Sequence, residues 1–337
     1  MKAVSSRRLV AAVGIAAVAA VTAAGCSVNG ASAQGSKNLA LVAYSTPQEA
    51  YSKLIPAFQA TSAGKGVTFS QSYGASGSQS RAVIAGLKAD VVEMSLTPDV
   101  TKLVKAGIVP SNWNANQYHG IITDSVATLV VRKGNPKHIK DWSDLVKPGI
   151  KVVTPNPFSS GSAQWNIMAA YGSQIKEGKT PAQALSYLNQ LFHHVVAQDK
   201  SGRDALNNFT SGTGDVLISY ENEAIAAQQA GKSVDYVTPS HTILIENPLA
   251  ATKGAPSAAT AFVKYLYTAP AQKIFASKGY RPVVKADLDS SKFPTPSGLF
   301  TINDLGGWPQ VQKTFFDPTN GKMVAIEKSV GVSTSGN

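Results

Sequence analysis

Three short segments place hydroxyl groups and glycines where a strand pattern gives way to a helix pattern. The first is Tyr73-Gly74-Ala75-Ser76-Gly77-Ser78. The second runs Thr154-Pro155-Asn156-Pro157-Phe158-Ser159-Ser160-Gly161-Ser162, and the third is Asp199-Lys200-Ser201-Gly202-Arg203. Such a junction can hold an anion. The first-turn N–H groups of a helix lack partners within it, and the helix dipole sets positive potential there. Small residues let an oxyanion approach the backbone, and Ser hydroxyls add donors. Any one of these loops also reads as ordinary helix capping, a role in which Ser and Gly are common. Three of them at strand ends of one chain point to a shared oxyanion, without naming it. Asp199 and Arg203 flank the third loop. Asp199 reads as a bracing or capping carboxylate, and Arg203 as a residue behind the loop that could also donate.

The elements that must position these loops alternate between the two patterns. Strand-like runs are Leu39–Tyr44, Val67–Tyr73, Asp90–Ser95, Ser125–Arg132, Lys151–Thr154, His194–Gln198, Asp215–Ser219, Val234–Val237 and Ile243–Glu246. Pro47–Ala60 has apolar residues at helical spacing, Ala50, Leu54, Ala57 and Phe58. Ser78–Ala89 reads as a helix too, as do Pro256–Leu266 and Pro270–Lys278, which carry Pro in the first turn. Alternation of this kind predicts an α/β fold with mainly parallel sheets. The chain beyond residue 38 is long for one core, which predicts two lobes. The runs near 125–132 and 243–246 are candidate crossings between them. The expected division is 39–123 plus 248–337 for the first lobe and 124–247 for the second.

Of 337 residues, 43% are hydrophobic and 15% charged, the balance of a globular chain. The net charge is +11, of which Lys2, Arg7 and Arg8 supply three. A positive field suits an anionic ligand or an anionic membrane surface. Without a cluster of five or more basic residues or a basic helix interleaved with aromatics, nucleic acid is not an expected partner. No Gly-x-Ser-x-Gly elbow surrounds Ser76 or Ser160, and no His-Glu-x-x-His or paired-Cys motif suggests a metal. His193 and His194 fall at a helix-to-strand transition, a place for surface or capping roles. The expectation is a binding protein with no cofactor, not an enzyme; a secreted serine hydrolase is the rival class.

The N-terminus carries an independent signal. Met1 to Arg8 is short and basic, Leu9 to Ala24 is apolar, and Ala23-Ala24-Gly25-Cys26 ends in small residues. That is a secretory signal over residues 1–25. Cys26 is the one cysteine of the chain, so it makes no internal disulfide. Its setting resembles a bacterial lipobox, although Ala23 stands where Leu is usual. Acylation at Cys26 would leave residues 26–38 as a tether and hold the domain at the outer face of the cytoplasmic membrane.

Several blocks, taken in order, resemble the periplasmic sulfate- and thiosulfate-binding proteins of ABC importers. They include Val130-Val131-Arg132-Lys133-Gly134-Asn135-Pro136-Lys137, Trp142-Ser143-Asp144-Leu145, and Lys147-Pro148-Gly149 through Pro155-Asn156-Pro157. Further blocks are Gly214-Asp215-Val216-Leu217-Ile218, Glu221-Asn222-Glu223-Ala224, Tyr280-Arg281-Pro282, Leu299-Phe300-Thr301 and Gly306-Gly307-Trp308. The resemblance runs from about Leu39 to about Phe316. It implies a type II-like periplasmic binding fold of two α/β lobes, with the ligand in a hinged cleft. It also implies a dehydrated anion held by neutral donors. Ser76 would give a backbone N–H, Ser160 a hydroxyl and an N–H, and Gly161 and Ser162 N–H groups in place of a Gly-Gly pair. Gly202 would stand for a small residue whose N–H binds. Ser45 falls where the family often has Asp, so only its N–H carries over. Tyr220 falls where an indole-donating Trp often stands, and a phenol reaches differently.

The function so implied is capture of sulfate or thiosulfate outside the membrane and delivery to an ABC importer's permease and ATPase. The domain is expected to be monomeric. Sulfate has no proton to donate near neutral pH, so a donor-only site suits it, whereas hydrogenphosphate rewards a carboxylate acceptor. Molybdate and phosphate stay open as alternatives.

Overall fold

The computed structural model describes residues 38–334; the proposed signal segment and Cys26 lie outside them. The elements follow the expected alternation. Strand β1 (Asn38–Tyr44) leads to helix α1 (Gln48–Gln59), β2 (Thr68–Gly74) to α2 (Ser76–Ile84), and β3 (Val91–Glu93) to α3 (Thr97–Lys105). The long strand β4 (Ile121–Arg132) comes next. Then β5 (Val152–Pro155) leads to α4 (Gly161–Lys176) and α5 (Pro181–His193), β6 (Val195–Asp199) to α6 (Gly202–Thr210), and β7 (Val216–Tyr220) to α7 (Glu221–Gln229). Strands β8 (Val234–Val237) and β9 (His241–Ala251) precede α8 (Ser257–Leu266) and α9 (Ala269–Ser277). Short strands β10 (Arg281–Pro282) and β11 (Gly298–Phe300), then α10 (Gly307–Val311) and α11 (Lys322–Ser329), complete the described chain.

The strands join in the order β2-β1-β3-β9-β4-β7-β5-β6, with β8 and β10 on β4 and β11 on β9. Two parallel groups lie at the ends of this order: β2-β1-β3 and β7-β5-β6. Between them β4 and β9 run antiparallel, pairing Ile121 to Val126 with Pro248 to Leu244. Each also pairs antiparallel with one group, β9 with β3 and β4 with β7. This is a mixed α/β fold of two lobes. The parallel groups carry the strand-to-helix loops, and β4 and β9 join the two groups.

Apolar faces explain the packing. Leu41 and Ala43 of β1, Tyr51, Leu54 and Phe58 of α1, and Phe262 and Phe275 of α8 and α9 form one buried cluster. A larger cluster gathers Leu129, Trp142, Trp165, Leu188 and Ile218. Phe300, Trp308, Val311, Phe316, Met323 and Ile326 pack into that second cluster. The last described segment therefore packs with α4 and α5. Irregular turns, including a π turn at Gln312–Phe316, give its aromatics no single helical period.

The element ends also move slightly. Ser78–Ala89 was expected as a helix, but α2 begins at Ser76 and ends at Ile84. Gly86, at φ +108°, takes a backbone conformation that L side chains rarely adopt and turns the chain out. Starting at Ser76 puts that residue in the first turn.

Candidate functional site

Ligands of open α/β sheets sit beyond the carboxyl ends of parallel strands. Here the ends of β1, β2, β3, β5, β6 and β7 deliver Ser45 and Thr46, Ser76, Ser95, Ser160 to Ser162, Ser201 and Gly202, and Tyr220. Apart from Gly161 and Gly202, each of these is polar, and all are buried.

Contacts link these loops into one network. The Ser76 hydroxyl donates to Asp99 Oδ2 at 2.7 Å and accepts the Ser95 N–H at 3.0 Å. Ser76 Oγ is thus committed inside the protein, leaving its backbone as the part that can face a ligand. The Ser95 and Tyr220 hydroxyls share a hydrogen bond at 2.7 Å. The Ser95 carbonyl accepts the Trp165 indole N–H at 2.8 Å and the Asn247 amide at 3.1 Å. Ser160 and Ser162 hydroxyls share a bond at 2.7 Å.

Glycines permit the closeness. A Cβ added at Gly161 would sit 3.0 Å from Ser95 Oγ, and one at Gly202 would sit 2.8 Å from Ser162 Oγ and 3.7 Å from Thr46 Cγ2. The loops of the first parallel group therefore touch those of the second. Thr46 Oγ1 also bonds the Tyr280 hydroxyl at 3.1 Å.

The electrostatic feature is at the helix starts. Helices α2 and α4 begin buried, and neither cap residue, Ala75 or Ser160, bonds the first turn with its side chain. In α6, Ser201 accepts from the Asp204 N–H. Buried first-turn N–H groups without caps are costly unless something accepts from them. An oxyanion would do so.

The donors are neutral. Burial raises the Tyr220 phenol well above its ordinary range, against the lowering pull of its Ser95 bond, so it remains an O–H. A pair of hydroxyls has two protons and uses one in its mutual bond. Ser95/Tyr220 and Ser160/Ser162 each keep one O–H to give.

The carboxylates near the loops are engaged elsewhere. Both Asp199 oxygens accept from the Asn208 amide at 3.1 Å. Asp99 takes the Ser76 hydroxyl and pairs with Lys102 at 2.9 Å. Arg203 donates to Glu49 Oε1 at 2.6 Å, Glu223 Oε1 at 2.8 Å and the Thr46 carbonyl at 3.1 Å. Its guanidinium therefore ties α6 to α1 and α7 behind Gly202. Glu223, chiefly through burial, is raised above the usual carboxylate range, with Arg203 opposing the shift. One layer below, Glu93 on β3 is fully buried, accepts from the Tyr51 hydroxyl, and is pushed up to about 8 by burial.

Sequence reasoning flagged Ser45, Ser76, Ser160, Gly161, Ser162, Gly202 and Tyr220, and the structure gathers them at these strand ends. It missed Thr46, Ser95 and Tyr280. Ser95 has a visible signal, a strand followed by Ser and then a helix, but the strand-like run Asp90–Ser95 extends through it and hides the loop. The rival hydrolase reading finds no support in the histidines. His193 and His194 set Nδ1 against the carbonyls of Asn189 and Ile150, at 2.7 and 3.0 Å. No group of three or more His, Cys, Asp or Glu able to hold a metal occurs among the described residues.

The chain is similar to known proteins over most of its length. A family model described as bacterial extracellular solute-binding protein matches residues 39–281. A sulfate-binding protein of Synechococcus elongatus is 42% identical, covering 90% of this chain and 91% of its own. A thiosulfate-binding protein of Pseudomonas aeruginosa is 35% identical, covering 88% and 94%. The solved sulfate-binding protein SubI from Mycobacterium tuberculosis superposes with a TM-score of 0.81 at 49% identity, covering 83% of this chain and 99% of that one.

Proposed function

The chain belongs to the bacterial extracellular solute-binding proteins, and we propose that it captures sulfate in the cleft between its lobes and delivers it to an ABC importer. The observation that carries this reading is the pair of buried, uncapped helix starts, α2 and α4, which contacts through Ser95 bring together. Neutral hydroxyls surround them, and the neighbouring carboxylates are engaged elsewhere. Such a site offers donors and asks for no proton, which suits a fully ionised tetrahedral anion. The similarity to sulfate-binding proteins in two distant bacteria supports the same ligand.

In this reading the backbone N–H groups of Ser45, Ser76, Gly161, Ser162 and Gly202 and the hydroxyls of Ser160 and Tyr220 surround the anion. Arg203 braces the loop behind Gly202, and Asp199 braces the third loop through Asn208. The core contacts favour counting residues from about 300 onward with the second lobe. Thiosulfate shares the oxyanion face of sulfate and is a second ligand to measure, given the similarity to a thiosulfate-binding protein. Cys26 would carry the lipid anchor after removal of residues 1–25, and the domain would act as a monomer. Mass spectrometry of the membrane-extracted protein tests the anchor: a diacylglycerol adduct on an N-terminal Cys26 supports it, and a free thiol overturns it. Calorimetry with sulfate, thiosulfate, molybdate and phosphate tests the ligand.

A further inference from the structure

A groove of about 540 Å³ lies between α3 and the segment from Trp308 to Pro318. Its apolar lining includes Pro98, Trp308 and Phe316. Lys102 and Lys105 of α3 and Lys313 of the opposite wall rim it. Lys102 is held by Asp99. Asp317, the one acidic residue in the lining, accepts the N–H groups of Thr319 and Asn320 with Oδ1 and keeps its charge. With Lys102 paired, Lys105 and Lys313 outnumber Asp317, and the rim keeps a net positive charge over an aromatic floor.

The two walls belong to different parts of the fold. Helix α3 follows β3 and packs on α2, whereas Trp308 packs edge-on against Trp165 of α4 at 4.6 Å. The same Trp165 donates to the Ser95 carbonyl, and Asp99 of α3 accepts the Ser76 hydroxyl. The contacts that bring the anion loops together thus also set the width of the groove. The π turn at Gln312–Phe316 forms part of the wall, and such turns are frequent at functional sites.

We infer that this groove receives an acidic, partly apolar segment on the outward face of the membrane transporter, and that it is shaped to do so when the lobes are closed. The inference rests on the proposed role as a delivery protein. Charge complementarity sets the partner's sign: Lys105 and Lys313 favour carboxylates, and Trp308 and Phe316 favour an apolar side chain between them. Opening the cleft would separate Ser95 from Trp165 and Tyr220 and so change the groove. The partner would then discriminate loaded from empty protein through a differential contact.

The test uses the full mature protein and its importer reconstituted in vesicles. Lys105→Glu/Lys313→Glu should leave the sulfate dissociation constant within about two-fold while raising the concentration for half-maximal ATPase stimulation at least ten-fold. Thr101→Trp, which fills the groove without changing charge, should do the same. Unchanged stimulation by the folded Trp variant overturns the inference, as does unchanged stimulation by the double-charge variant. Loss of sulfate affinity in step with stimulation in both variants also overturns it, since the groove would then act only through the anion site. A wild-type protein that stimulates the importer without binding sulfate refutes the sulfate reading and leaves the groove to be judged by the variants.

Discussion

The Ser95 and Tyr220 hydroxyls meet at 2.7 Å, joining the end of β3 to the end of β7 across the two parallel groups of strands. The Tyr220 phenol reaches a partner in Ser95 instead of standing alone. Removing the hydroxyl strips Ser95 of a buried partner and the cleft of a donor. Tyr220→Phe is expected to weaken sulfate binding by about 1–3 kcal/mol. Calorimetry checks it; an unchanged affinity would place Tyr220 outside the ligand's reach.

Ser160 sits at the cap of α4 yet does not cap it; its hydroxyl pairs with Ser162. Ser160→Ala should cost about 1–3 kcal/mol of sulfate affinity if the pair's remaining proton goes to a charged ligand. Thermal unfolding without ligand should shift much less than it does with saturating sulfate. Equal shifts in both conditions would assign the hydroxyl to structure alone.

Arg203 separates bracing from binding. Its loss leaves Glu223, 1% exposed, as a buried carboxylate without its cation. Arg203→Ala is expected to destabilise the fold by roughly 2–4 kcal/mol. Glu49 is 41% exposed, so Glu49→Gln should cost under about 1 kcal/mol. Denaturant unfolding of both variants checks the contrast, and equal losses would contradict the picture of a guanidinium serving chiefly Glu223.

Glu93 gives the fold a pH dependence of definite sign. Its carboxyl is raised from 4.5 to about 8 in the folded state, because burial penalises the charged form more than the Tyr51 bond favours it. The neutral form is favoured by folding. That stabilisation is present in full below about pH 4.5 and lost as pH rises through about 8. Glu93→Gln removes the titration. Its stability relative to wild type should improve steadily between pH 5 and 8.5, by up to about 3–5 kcal/mol. Parallel stability–pH curves for the two proteins would contradict it.

Much of this arrangement was legible in the sequence because its parts are local. A strand pattern, a Ser/Gly loop and a helix pattern lie within about 20 residues of one another, and each loop's chemistry follows from that order. Ser95 was hidden because β3 is only three residues long, so the boundary between strand and loop has no period to mark it. Thr46 and Tyr280 meet across 234 positions, a contact that only the topology creates. The placement of Trp308 against Trp165, and with it the packing of the last described segment on α4, is likewise a matter of long-range contacts. The engagement of Asp199 by Asn208 could not be read from spacing, since Asp199 ends β6 with side-chain directions open to either face.

The central claim is a buried site of neutral donors that accepts a fully ionised anion. Calorimetry of the mature domain, titrated with sulfate and with phosphate at pH 5, 6 and 7, tests it most directly. Sulfate should bind tightly with nearly constant affinity across that range, because neither the anion nor the Tyr220 phenol titrates there. Phosphate should bind far more weakly at each pH. Phosphate binding tighter than sulfate, or neither anion binding, would contradict the account.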